Sequence, residues 1–299
     1  MIMVGLMLGM LAACLDGTIV STCGTIIAED LGGLSLYSWM FTAYMLCETI
    51  AIPIGGKLSD LYGRKPFFLL GMAMFLGGSI AAGLSNSMEM FIICRAVQGA
   101  GGGILIPVAT AAIADLYSPV ERGKMQGIMG AVFGLGTALG PVIGGFITDY
   151  ISWHWVFYLN VPLAAMALFF TSRQFPSIEV VHRKKIDYTG MSILGLFLLD
   201  ILLFFSWAGN DFDWISTESG IMVAAAAALL GLFVLVEFRA EDPVIAPRLF
   251  KNRTFVCGAF SMLVFGLALT GALAYLSMFS IFIFGLTSRE AGYLTIAMV

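Results

Sequence analysis

The chain has 299 residues, 60% of them hydrophobic and 11% charged, with a formal net charge of -4 and a mean hydropathy of +0.96. Such a chain has too little polar surface to cover a water-soluble core, which excludes a soluble globule and points to a polytopic membrane protein. Its apolar runs match the roughly 20 residues that cross a hydrocarbon layer about 30 Å thick, and nothing alternates with the period of a barrel strand, so the expected class is all-α.

Spans are expected near 2–27, 36–56, 67–85, 90–113, 124–147, 154–172, 188–207, 219–236 and 255–284, with a further one beginning near Ala291. The first stretch has no basic leader and no convincing cleavage site, so it reads as a retained helix rather than a signal peptide. It contains Asp16, inside Leu15-Asp16-Gly17-Thr18-Ile19-Val20. A carboxylate at the centre of a spanning helix costs on the order of 3 kcal/mol on insertion scales, so such acids usually face a cavity or a partner and carry function.

In the second span Glu48 lies near Pro53, either as a functional acid or bonded to neighbouring backbone. Trp39, Phe41 and Tyr44 can stack on an aromatic cation or serve interfacial and core packing. The fourth span holds Arg95 followed by Gln98, and an arginine among apolar residues needs an acceptor, for which Asp16 and Glu48 are the acids in nearby spans. Asp200 in the seventh span is read chiefly as a structural or subunit-pairing acid.

Apart from Arg95 and Arg289, every one of the 15 Lys and Arg falls in alternate loops: Lys57, Arg64 and Lys65; Arg122 and Lys124; Arg173, Arg183, Lys184 and Lys185; Arg239, Arg248, Lys251 and Arg253. Positive charge is retained on the cytoplasmic side, so the N-terminus is expected there. Glu29, Asp30, Glu89, Asp149, Asp211, Asp213, Glu218 and Glu290 lie in the opposite loops. Cys14, Cys23, Cys47, Cys94 and Cys257 have no paired spacing and read as small core residues, while His154 and His182 offer no metal-ligand pattern. No catalytic constellation, nucleotide-binding loop, metal site, cofactor site or nucleic-acid signature stands out.

Two segments carry an internal echo. Gly55-Gly56-Lys57-Leu58-Ser59-Asp60 follows the second span, and Gly144-Gly145-Phe146-Ile147-Thr148-Asp149 ends the fifth. The copies are three helices apart, on opposite membrane faces, which describes an inverted three-plus-three repeat of the kind found in alternating-access transporters. In the first copy Gly56 and Gly63 can permit a tight reversal, and Asp60 can pair with Arg64 or Lys65. In the fifth span Gly136, Gly140 and Gly144 recur every fourth residue, giving one smooth face for a close helix neighbour, and Pro141 can bend the backbone.

These motifs resemble the major facilitator superfamily. Gly56-Lys57-Leu58-Ser59-Asp60-Leu61-Tyr62-Gly63-Arg64-Lys65 is similar to its G-x-L-x-D-x-x-G-R-K/R loop signature, and Arg95-Ala96-Val97-Gln98-Gly99 to its R-x-x-Q-G segment. Gly136-Thr137-Ala138-Leu139-Gly140-Pro141-Val142-Ile143-Gly144-Gly145 looks like the antiporter motif of its exporters. The start at Leu15–Val20 and Trp153-His154-Trp155-Val156-Phe157-Tyr158-Leu159-Asn160-Val161-Pro162 resemble the fourteen-helix drug:proton antiporter branch, as do the two spans between basic loops at 173–187 and 238–253.

The resemblance implies a six-helix N-terminal domain over 1–172, linkers with an inserted helix pair over 173–253, and the start of a second six-helix domain from 254. It also implies proton-coupled export of small lipophilic or cationic compounds across the cell membrane, with Arg95 taking part in proton coupling. The residues themselves leave a fixed structural counter-ion open for Arg95. Asp16 is the leading proton carrier, Glu48 a weaker one, and Asp16 and Gln98 are assigned to the substrate cavity. Substrate, protons and lipid are the expected partners; no obligate protein partner is indicated.

Ser21-Thr22-Cys23-Gly24-Thr25 departs from the branch's continuation, lacking its Asn and Pro, and His154 stands where the branch has Arg. A fourteen-span member needs roughly 450 to 500 residues, so the chain is expected to be a fragment whose missing domain supplies the second cavity wall and the helices facing the Asp60 loop and the Gly136 face. Two alternatives remain beside multidrug export: a dedicated exporter of a metabolite, antibiotic or siderophore, and a short non-transporting membrane protein.

Overall fold

The computed structural model describes residues 2–175 and 187–284. The helices are α1 Ile2–Asp30, α2 Tyr37–Tyr62, α3 Arg64–Gly83, α4 Met88–Leu116, α5 Pro119–Tyr150, α6 His154–Tyr158, α7 Asn160–Gln174, α8 Tyr188–Trp207, α9 Thr217–Glu237 and α10 Arg253–Phe284. Among the described residues, seven segments are long and apolar enough to span a membrane, α6 and α7 counting together, so this is a multi-pass helical membrane protein. α2 is also long, but Thr42, Tyr44 and Glu48 lower its hydropathy. His182, Arg183, Lys184, Lys185, Arg289, Glu290 and the span expected near Ala291 lie outside the described residues.

Local chemistry sets the boundaries. Ser87 accepts the Met90 amide at 3.3 Å to open α4, and Ser216 accepts the Ser219 amide at 3.1 Å to open α9. Glu121 takes the Ser118 amide at 3.2 Å, so with Pro119 in the first turn α5 begins before the expected 124. The sixth span is broken at Leu159, where Pro162 has no amide to offer the Tyr158 carbonyl.

Packing follows the inverted repeat. α2 packs along α4 as α5 packs along α1, and α3 lies against α4 as α7 lies against α1. In lipid the hydrophobic effect does not drive helices together, so close van der Waals approach at small residues does much of the work. α4 supplies it on two sides: a Cβ at Gly99 or Gly103 would strike the backbone of Tyr44 or Glu48 in α2, and one at Gly101 would lie 2.5 Å from the Phe75 amide nitrogen in α3.

Two apolar clusters fill this six-span bundle. One gathers Leu6, Phe68, Phe75, Leu105, Ile113 and Ala164; the other gathers Ile19, Ile27, Met40, Phe91, Trp153 and Phe157. Five buried polar residues fall between the two: Asp16 in α1, Ser79 in α3, Arg95 and Gln98 in α4, and Asn160 at the start of α7. Beyond the bundle, α8 and α9 pair with each other and α8 leans on α2, where Trp39 and Trp207 meet edge to face at 6.4 Å. α10 meets the Pro247–Lys251 turn and is exposed along residues 253–268.

Of the cysteines expected in the core, Cys14, Cys23 and Cys94 are buried, Cys47 is half-buried, and Cys257 is exposed on α10, a correction to the core assignment. His154 stacks on Trp153 at 3.7 Å and meets the Ser152 hydroxyl at 2.8 Å.

Candidate functional site

The polar layer is one connected network. Asp16 is 1% exposed, Arg95 1%, and Gln98, Ser79 and Asn160 are 0%. Arg95 donates from Nη1 to Asp16 Oδ2 at 2.5 Å and to Gln98 Oε1 at 2.7 Å. Gln98 Nε2 donates to Asp16 Oδ1 at 2.7 Å and to Ser79 Oγ at 2.9 Å. Asn160 Nδ2 repeats that pattern from the opposite side, reaching Asp16 Oδ1 and Ser79 Oγ at 2.9 Å each. Ser79 in turn donates to the Phe157 carbonyl at 3.2 Å. The Asp16 carboxylate thus accepts three bonds from three donors, which is how a buried charge is tolerated where water is excluded.

The remaining face of Arg95 covers the Tyr44 ring, with Cζ 4.1 Å from its centroid. Tyr44 therefore stacks on the protein's own cation. Trp39 and Phe41 pack on other rings, Trp207 and Tyr37.

Sequence reasoning offered Asp16 and Glu48 as acceptors for Arg95, and the structure sets Asp16 against it, with Gln98 bonded to both. The same reasoning assigned Asp16 and Gln98 to a substrate cavity, whereas both are enclosed inside the bundle by the apolar clusters above and below them. Glu48 does not pair with Arg95. Its carboxylate turns toward Gly102, 3.8 Å from where a Cβ on that glycine would stand. Asn160 and Ser79 were missed as members of the site. Asn160 lay inside the quoted sixth-span motif, two residues before Pro162, and its burial is the signal that the sequence alone does not carry. Its Oδ1 has no hydrogen-bond partner, nor does Asp200 Oδ2 in α8.

The segment read as a loop after the second span is helix up to Tyr62, and the reversal occurs at a single residue, Gly63, with φ 100 and ψ 147. Gly63 closes α2 by donating its amide to the Ser59 carbonyl at 3.0 Å. Gly56 takes no part in the reversal; it is helical, and a Cβ there would make only ordinary contact with Pro107. Arg64 pairs with Asp60, donates to Ser59 Oγ at 2.7 Å and reaches Asp115 at the end of α4 at 2.9 Å. Asp60 is held by Arg64, not by Lys65. Lys57 bridges to Asp242 at 2.9 Å and to the Pro243 carbonyl at 2.8 Å, tying the joint to the segment after α9.

The glycine face of α5 is also satisfied within the chain. Side chains built at Gly136, Gly140 and Gly144 would run into Cys14, Thr18 and Thr22 of α1, one turn apart each, while nothing lies within 4 Å of Gly145. The expectation that a second domain packs on this glycine face is corrected, because α1 occupies it; Asp60 itself is 53% exposed in this chain. α1 offers small side chains at the same four-residue spacing, and two such ridges fit at close range.

The model of the Major Facilitator Superfamily matches residues 6–299. Multidrug resistance protein 3 of Bacillus subtilis (strain 168) is 40% identical over 300 residues, covering 100% of this chain and 58% of its own length. Multidrug transporter protein MdtP of the same organism is 37% identical over 301 residues, at 100% and 55%. Among solved structures, the human organic anion transporter MFSD10 (TETRAN) superposes with a TM-score of 0.59 at 21% identity, covering 99% of this chain and 67% of that one. The proton:xylose symporter XylE gives 0.60 at 16%, with coverage of 99% and 65%. At such identities these two structures speak to the fold alone. The chain spans between half and three-fifths of the two Bacillus relatives' length.

Proposed function

This chain belongs to the Major Facilitator Superfamily, and from that premise we propose that the full-length protein exports small lipophilic or cationic compounds across the cell membrane in exchange for protons. The observation that carries the proposal is the Asp16–Arg95 pair, fully enclosed at the middle of the bundle. A buried carboxylate bonded to a buried guanidinium is a charge-balanced unit whose neutrality is lost when a proton arrives, and intramembrane acids of this kind mark proton relays. The names of the two Bacillus relatives support multidrug export as the substrate class.

In this reading Asp16 takes the proton. Protonation removes the ionic part of its bond to Arg95, while Gln98, the Tyr44 ring and, at 3.5 Å, the Met40 carbonyl remain as partners for the guanidinium. Arg95 would then bind more to α2 and less to α1. The shift biases α1 against α4, and the close glycine contact between α1 and α5 lets those helices move as a unit. The positive loops support a cytoplasmic N-terminus, and the division into 1–172, 173–253 and 254–299 belongs to the same proposal.

A second reading, export of one dedicated metabolite, is supported by a 34% identical relative named the Acurin A biosynthesis cluster MFS-type transporter, from Aspergillus aculeatus. The test is transport by the full-length protein in proteoliposomes under an imposed proton gradient. Movement of a fluorescent lipophilic cation that stops when an uncoupler collapses the gradient is expected; movement indifferent to the gradient contradicts proton exchange. A protein that moves no such cation but does move a secondary metabolite favours the second reading.

A further inference from the structure

A cleft of about 500 Å³ opens where the start of α2, the end of α8 and the start of α9 converge, at the end of the molecule opposite Gly63. The cleft is wide and largely open to its surroundings. Trp39, Trp207, Phe212 and Met222 line it, and Asp211 and Glu218 stand among them with exposed carboxylates. The two indoles meet edge to face at 61°, so the outward faces of the pair are left to the cleft.

The rim is fixed by its own backbone. Asp211 donates its amide to the Trp207 carbonyl at 2.8 Å, and Gly209 donates to the Phe212 carbonyl at 2.7 Å. Gly209 has φ 84, and a Cβ there would lie 2.6 Å from the Trp214 indole nitrogen, so the turn is closed tightly over a glycine. Glu218 sits in the first turn of α9, whose start is held by Ser216 and by the Ser219 hydroxyl bonded to the Asp213 carbonyl at 2.7 Å. Among the described residues, the segments that share this end, 31–36, 84–87, 151–153 and 208–216, contain no Lys or Arg; Arg289, expected on the same side, lies outside the described residues. Negative charge there is uncompensated by its neighbours in sequence.

We propose that this cleft binds the ammonium head of an amphiphilic organic cation. Aromatic faces and carboxylates together are the chemistry that selects a weakly hydrated cation with apolar substituents. Tryptophans at a membrane interface often serve only as anchors, but anchoring requires neither the carboxylates nor a cleft between the rings. The head can belong to a free amphiphile or to a choline or ethanolamine lipid. The site is separate from the Asp16 network, so the inference stands independently of the transport proposal.

The test is binding of tetrapentylammonium to the full-length protein in maltoside micelles, followed by tryptophan fluorescence. The Asp211→Asn/Glu218→Gln pair is expected to weaken binding about tenfold, because two exposed carboxylates no longer attract the cation. Both side chains are exposed. Glu218 also bonds Ser216 at the start of α9, so the Asp211→Asn single variant, which leaves that cap intact, is measured alongside and is expected to weaken binding in the same direction. Trp207→Leu is expected to weaken it similarly. Competition by dihexanoyl phosphatidylcholine assigns the site to a lipid headgroup, and its failure to compete assigns it to free cations. Unchanged affinity in the Asp211→Asn/Glu218→Gln protein, or no saturable binding at all, overturns the proposal.

Discussion

Arg95 Nη1 stands 2.5 Å from Asp16 Oδ2, with both side chains sealed between two apolar clusters. Removing one partner of such a pair leaves the other charged and buried, a loss of about 3 to 5 kcal/mol. Arg95→Met should therefore lower the thermal unfolding midpoint in detergent much more than Arg95→Lys, which keeps the charge but not the fork. Equal midpoints for the two variants would mean that charge balance is not what the pair provides.

Gly140 lies directly over Thr18, whereas Gly145 has open space around it. Gly140→Ala should cost about 1 to 3 kcal/mol by pushing α5 off α1. Gly145→Ala should fall within about 0.5 kcal/mol of the parent, or stabilise the helix. Thermal stability in the same detergent compares the two directly, and a Gly140→Ala protein as stable as the parent would refute the observed α1–α5 contact.

Gly63 and Gly56 give a similar contrast. A φ of 100 with ψ 147 is a region that only glycine occupies readily, so Gly63→Ala should cost about 1 to 3 kcal/mol. Gly56→Ala, in regular helix with ordinary space beside it, should be near neutral. The measurement is again the unfolding midpoint, and the reverse order would place the reversal elsewhere.

Lys57 and Asp242 pair at 2.9 Å with side chains 12% and 13% exposed. A double-mutant cycle with Lys57→Ala and Asp242→Ala should show a coupling of about 1 kcal/mol. Additive effects would mean that the segment after α9 is not tied to the α2–α3 joint.

These contrasts also mark what the sequence could say. Asp16 and Arg95 were legible because a charge inside an apolar run is costly and needs a partner. Asn160 and Ser79 were not, because a neutral polar side chain in a helix costs little and its direction is set by the tertiary fold. The four-residue spacing of Gly136, Gly140 and Gly144 predicted a close helix contact but not its partner, since periodicity defines a face and not what lies against it. Thr18 and Thr22 read as ordinary helix residues until α1 was placed. The Gly55–Asp60 and Gly144–Asp149 echo indicated an inverted three-plus-three repeat, and the packing of α2 on α4 and of α5 on α1 has that symmetry. Asp242 was invisible as a partner of Lys57, because a contact between residues so far apart in sequence leaves no local pattern.

The most direct test of the central claim is proton-driven export by full-length Asp16→Asn in proteoliposomes, with substrate movement and proton uptake recorded together and the amount of folded protein matched to the parent. Loss of proton-coupled export, with no proton uptake on adding substrate, is the predicted result. Undiminished export with the parent's proton uptake would contradict the assignment of Asp16 as the proton carrier.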